Sequence, residues 1–203
     1  MAAWRVLWAL LLPILLAACA TTTPPPSTRV DRSEAWLAHL ATIRDISGFV
    51  IDGRLSEGSM GSATLFWRQS GARFSARASG PFGSGAIALA GTPTAVTIRD
   101  GEQRITTSQP EAWLQQQLGW QLPVAGLRFW AVGRPMPGRA AVFAYNDAGQ
   151  LAVLEQAGWR IHYEAYEQTQ EGLWLPSRIR FISEEQAALL RIARWRNIER
   201  DAD

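Results

Sequence analysis

The chain contains no lysine, two histidines and one cysteine, and its longest apolar run, Val6 to Leu16 with Pro13 inside it, is too short to span a bilayer as a helix. Each scarcity removes a class of function. A single thiol, Cys19, allows no internal disulfide, no cysteine-ligated metal and no thiol pair for redox chemistry. The two histidines, His39 and His162, stand without metal-ligand spacing, and no nucleophile elbow or phosphate loop accompanies them. The twenty basic residues are all arginine and face eighteen acids, so the chain has little net charge with which to attract nucleic acid. No cofactor is expected.

What is present begins at the amino end. Arg5 followed by the apolar run has the layout of a secretory signal, and Leu16-Ala17-Ala18-Cys19 fits the lipobox of bacterial lipoproteins, in which the cysteine is acylated and becomes the first mature residue. An ordinary signal peptide with an incidental cysteine is the alternative. The organisation expected is a signal peptide over residues 1–18, a lipidated end and flexible spacer over 19–30, and one folded domain over 31–203. One buried acyl chain holds a protein only marginally at a membrane, whereas the two or three on a lipoprotein cysteine make release negligible. Thr21 to Thr28 is polar and Pro-rich, with too little apolar area to fold. Ala20 follows the cysteine where an aspartate commonly retains Gram-negative lipoproteins in the inner membrane, so the expected address is the outer membrane, on its periplasmic face.

Ser33 as a cap, with Trp36, Leu37, Leu40 and Ile43 at helical spacing, predicts a short amphipathic helix ending before Gly48. The rhythm then changes to two. Strands are predicted near 49–55, 63–68, 74–79, 86–89, 95–99 and 103–107, separated by turn signals such as Glu57-Gly58-Ser59, Ser70-Gly71 and Asp100-Gly101. Pro110 opens a helix that Gly119 can end, and Val124 to Val132 reads as a third, closed by Gly133. Strands return near 140–145, 151–156, 159–166, 177–182 and 188–195. The fold class is mainly β (α+β): one antiparallel sheet of about eleven strands with about three short helices. So broad a sheet must curl. Three short helices fill its hollow less densely than side chains fill a small barrel, which predicts an apolar cavity.

These residues resemble a known family. The lipobox, Gly53-Arg54-Leu55, Leu65-Phe66-Trp67, Gly80-Pro81-Phe82-Gly83-Ser84, Leu122-Pro123-Val124-x-x-Leu127-x-x-Trp130-x-x-Gly133 and Gly158-Trp159-x-x-x-Tyr163-x-x-Tyr166 are similar, in order and over nearly the whole chain, to the LolB outer-membrane lipoproteins. The resemblance implies a strongly curved half-barrel with helices covering its concave face. It implies a non-enzymatic, monomeric receptor that takes lipoproteins from the periplasmic carrier LolA, shelters their acyl chains and releases them into the outer membrane. It also implies that the loop holding Pro81, Phe82 and Gly83 protrudes, with Phe82 touching membrane lipid; Phe82 packed inward beneath a hairpin is the alternative. An arginine rim drawn from Arg178, Arg180, Arg191 and Arg194 could face an acidic carrier.

For the acyl-chain cavity, the apolar strand phase and the covering helices nominate Phe49, Leu55, Leu65, Trp67, Phe74, Ile87, Leu89, Leu127, Trp130 and Trp159. Plain core packing is an equal reading of any one of them, and a register slip of one residue would exchange Trp67 for Phe66. Arg54 is read as a solvated surface arginine, with a partner for the helices or for an incoming headgroup as the alternative. Two rivals stand beside the receptor. An envelope hydrolase would have to use His162 with Glu164 or Glu167, on a strand whose polar members alternate toward water. A structural or lipid-binding lipoprotein would carry other hydrophobic cargo.

Overall fold

A computed structural model of the chain describes residues 32–57, 61–80, 85–118, 124–184 and 186–201. The signal, Cys19 and the spacer lie outside the described residues, as do residues 58–60, 81–84 and 119–123.

Helix α1 spans Arg32–Ile43. It begins before Ser33, so that residue sits in the first turn and not at the cap. Six strands follow: β1 Ile46–Glu57, β2 Gly61–Ser70, β3 Arg73–Ser79, β4 Ile87–Thr92, β5 Ala95–Asp100 and β6 Gln103–Thr107. Helices α2, Pro110–Leu118, and α3, Val124–Trp130, come next. Five more strands complete the fold: β7 Val142–Tyr145, β8 Leu151–Gln156, β9 Trp159–Gln168, β10 Trp174–Ile182 and β11 Ala187–Arg200. All eleven form one antiparallel sheet in the order β6-β5-β4-β3-β2-β1-β11-β10-β9-β8-β7. Two meanders, each built of neighbours in sequence, are thus joined where β1 pairs β11, and the edges β6 and β7 remain unpaired with each other. The sheet curves without closing into a barrel.

Alternation sets the faces. Along β2, Ala63, Leu65, Trp67 and Gln69 are buried while Thr64, Phe66 and Arg68 are exposed. Trp67 is 3% exposed and Phe66 36%, which fixes the inward phase on Trp67. Register carries that phase across the first meander, from Ile51 opposite Trp67 to Ala76, Leu89, Ile98 and Ile105. The inward side chains as far as Ile98 share one core with Trp36 of α1, Leu114 of α2 and Val124, Leu127 and Trp130 of α3, so the three helices lie on this face, while Ile105 on the edge strand is exposed.

Local chemistry explains the boundaries. α3 closes through Gly133 at φ +81°, with Gly133 N–H donating to Trp130 O and Arg134 N–H to Phe129 O, a Schellman arrangement. β10 starts three residues before the predicted 177, because Pro176 stands opposite Tyr166 beside a register shift. A proline argues against a strand interior, and the shift lets the ladder absorb the missing N–H. β11 likewise continues five residues past Trp195, with Asn197 at φ +50°.

Candidate functional site

Eight of the ten nominated lining residues, Phe49, Leu55, Leu65, Trp67, Phe74, Leu89, Leu127 and Trp130, are buried in the one hydrophobic cluster beneath the helices. Ile87 and Trp159 are half-buried and pack against it. Aromatic rings run through this interior: Trp195 edge-on to Phe49 at 5.3 Å, Phe49 to Trp67 at 6.2 Å, and Trp67 to Phe74 at 6.0 Å between centroids. The inward surface of β1–β4 is therefore largely hydrocarbon and ring, with Gln69 as a buried polar member.

α3 is fixed to the second meander by directional bonds. The Trp130 indole donates to Gln156 Oε1 at 2.9 Å, and the Tyr163 hydroxyl donates to Trp130 O at 3.0 Å. Gln156, 3% exposed, also accepts from Met136 N–H and donates through Nε2 to Met136 O and Arg139 O. Four hydrogen bonds at one buried amide staple the helix and the chain after it to β8. Gly126 permits the packing, since a Cβ there would lie 2.6 Å from the Trp130 ring. Toward the first meander the bonds are fewer: Arg128 Nη1 donates to Gly71 O at 3.4 Å, and just past the helix Arg134 Nη2 donates to Ile46 O of β1 at 2.9 Å.

Gln156 and its counterpart Gln69 were missed by pattern reading. Gln69 accepts from the Trp67 indole at 3.1 Å and donates to Gly71 O and Arg73 O. Each breaks an apolar phase, Gln69 after Leu65 and Trp67, Gln156 after Leu154, and that interruption is the signal that could have found them.

Around α1 the interior is aromatic and polar. Trp36 stacks on Tyr145 at 5.4 Å, and His39 stands edge-on to Tyr166 at 6.1 Å. Burial raises the pKa of Tyr163 and Tyr166, and burial lowers that of His39, whose Nε2 has no hydrogen-bond partner. The Tyr166 hydroxyl donates to Leu151 O at 2.9 Å.

An open hollow of about 560 Å³ lies beside the β8–β9 turn, bordered by Trp159, Val142, Ile182 and Gln156. Of the nominated lining residues only Trp159 borders it. Cys19, Pro81, Phe82 and Gly83 lie outside the described residues. Arg54 is exposed, its Nη1 donating to Ser62 Oγ at 3.2 Å. On the outward phase of β9, Glu164 accepts from Arg180 Nε at 2.6 Å, which commits one member of the arginine rim and one of the supposed acid/base pair to each other.

The family model for the outer membrane lipoprotein LolB matches residues 48–195. The chain belongs to the LolB family. Curated members named outer-membrane lipoprotein LolB include one from Stutzerimonas stutzeri, 37% identical over 91% of both chains. Another, from Chromohalobacter salexigens, is 35% identical over 94% of this chain and 90% of its own. Among solved structures, a LolA superfamily protein from Nitrosomonas europaea superposes with a TM-score of 0.51 at 12% identity, covering 83% of this chain and 94% of that one, a likeness of fold. The family match thus spans both meanders and the helices between them.

Proposed function

We propose that this chain is a receptor anchored in the outer membrane through acylated Cys19, carried on the 19–30 spacer after removal of residues 1–18. On the periplasmic face it accepts lipoproteins from the carrier LolA, holds their acyl chains between sheet and helices, and passes them to the bilayer. The observation that carries this reading is the apolar interior under α2 and α3, in a chain of the LolB family. Acyl chains in water cost about 0.8 kcal/mol per methylene, so they must travel between dry containers. With no nucleotide to drive it, transfer runs downhill: the carrier must bind cargo less tightly than this chain, and the bilayer more tightly. No step breaks or makes a covalent bond.

The contact pattern suggests how space is made. α3 and the chain after it are tied mainly to β8 and β9, with Arg128 and Arg134 bonding to Gly71 O and Ile46 O of the first meander, and the apolar side chains of α3 share a cluster with Leu65, Trp67 and Phe74, packing that an acyl chain can replace in kind. Cargo enters between the helices and the first meander, lined by Leu55, Leu65, Trp67, Phe74 and Leu89, with the helices staying on the second. Phe82 touches membrane lipid during release; inserting one phenylalanine contributes roughly 1.5–3 kcal/mol, enough to orient the domain and too little to anchor it.

Handover tests the reading. The acylated full chain in liposomes is given a lipoprotein held by the carrier, and cargo is followed onto the chain and then into the bilayer. Passage is expected, and a folded chain that takes no cargo overturns the proposal in favour of a structural lipoprotein. Phe82→Glu should keep uptake and the melting temperature while slowing delivery; unchanged delivery removes the loop from the mechanism.

A further inference from the structure

The outward face of the first meander carries a feature that acyl-chain sheltering does not use. Register places Phe66 opposite Arg77, Arg77 opposite Ala88, Ala88 opposite Arg99, and Arg99 opposite Arg104. One row running across β2–β6 therefore holds three exposed arginines and a ring, bordering an open groove of about 480 Å³ with Ser75 and Thr97. Adjacent strands lie about 4.8 Å apart, which sets Arg99 and Arg104 about 5 Å from each other at the backbone and Arg77 about 10 Å from Arg99. Like charges directly opposite on a sheet repel. Among the described residues no carboxylate pairs with any of the three; on this face Asp52 is taken by Arg196 of β11 at 2.7 Å. On β8–β10, by contrast, Arg160 and Arg180 are matched with Glu155 and Glu164.

We propose that the row Arg77, Arg99 and Arg104 binds the phosphate groups of membrane lipids. A guanidinium presents a rigid fork of N–H donors that matches phosphate oxygens in two-point contact, and three of them spaced along a shallow groove suit a surface of separate phosphates better than one enclosed ligand. The exposed Phe66 ring at the end of the row suits the boundary where headgroups meet hydrocarbon. An acidic protein surface would need the charge alone and would leave the ring without a purpose. The proposal rests on the membrane placement given above and concerns a face opposite the acyl-chain interior.

Ala90, exposed on the same face one row away, provides a reporter position. The acylated full chain bearing Ala90→Cys labelled with a polarity-sensitive fluorophore is reconstituted in vesicles of phosphate-free galactolipid, of phosphatidylcholine, and of phosphatidylcholine with phosphatidylglycerol. Emission should rise in the order given, and the docking constant should fall roughly fivefold for each arginine removed in Arg99→Gln and Arg104→Gln. The double variant should melt at or above the parent temperature, since it relieves repulsion. Equal emission in all three vesicles, or a rise that survives the double variant, overturns the proposal. So does the same rise produced in galactolipid vesicles by inorganic phosphate, or one that appears only when an acidic protein is added. Carrier-to-chain handover measured on the same vesicles separates the two readings: handover without a phosphate-dependent signal sinks the arginine row alone, and a phosphate-dependent signal without handover sinks the receptor alone.

Discussion

The two meanders are built from the same alternation, yet each uses its buried glutamine differently. In the first, Gln69 bonds only within its own hairpin, to Trp67, Gly71 and Arg73. In the second, Gln156 reaches out of the sheet to Trp130, Met136 and Arg139. One amide finishes a turn; the other fixes the helical layer to the sheet. Helix α3 and the chain after it are thereby bonded more densely to β8 and β9 than to the first meander, which they reach through Arg128 to Gly71 O and Arg134 to Ile46 O, and that separation distinguishes the two halves of one continuous sheet.

Gln156→Leu puts that separation under the greatest load. It leaves the Trp130 indole, Met136 N–H and two carbonyls without their buried partner, and the expected loss is about 3–5 kcal/mol of unfolding free energy by urea titration. Gln69→Leu strands the Trp67 indole, while Gly71 and Arg73 are exposed and their carbonyls can turn to water, so about 1–2 kcal/mol is expected. Equal costs would erase the distinction between the meanders. Gln156→Leu should also change the rate of cargo uptake, because it loosens α3 on its β8–β9 side.

The sheet itself was largely legible from the sequence, since period-two runs punctuated by Gly71, Gly101 and Gly158 leave little choice of element or neighbour. Pro176 is a poor strand residue, and only the pairing with Tyr166 shows how a register shift lets β10 run through it from Trp174. Alternation also named the inward phase, Trp67 over Phe66. It could not separate core from container, because hydrocarbon packs against side chains and acyl chains by the same forces. The partners of Gln156 were illegible for another reason: a polar residue interrupting an apolar phase marks its own position and tells nothing of partners 17 to 26 positions away. The arginine row was hidden by composition, for twenty bases against eighteen acids look neutral until register gathers some of the bases on one face.

A smaller effect should appear on acidification, through the helix that packs on the second meander. His39 is half-buried beside Trp36 and Tyr166, and that burial depresses its pKa below the ordinary 6.5. Below that value the unfolded chain takes up a proton that the folded one resists, so the His39 contribution is complete above pH 6.5 and is lost as pH falls toward the depressed value. Urea midpoints should stay level from about pH 8 to 7 and then decline, and His39→Gln should flatten the decline. If the slope persists in the variant, acid sensitivity resides elsewhere, and α1 is not the helix that acid releases.

The finest contrast lies in the hairpin turns. Gly71, φ +54°, and Gly101, φ +57°, occupy the left-handed position in the first meander, where a Cβ is costly and glycine has none. The β8–β9 turn puts Ala157 there at φ +53°, ahead of Gly158 at φ +79°, the two-residue geometry that Asn-Gly satisfies best. Ala157→Asn should stabilise the protein by about 0.5–1 kcal/mol, and Gly71→Ala should destabilise it by about 1 kcal/mol, through the same backbone preference read in opposite directions. Nothing else lies within reach of a Cβ at Gly71, so the comparison isolates backbone conformation from packing. A Gly71→Ala variant as stable as the parent would mean that this turn relaxes out of the left-handed region, and the strain assigned to Ala157 would then have to be sought in its side-chain contacts.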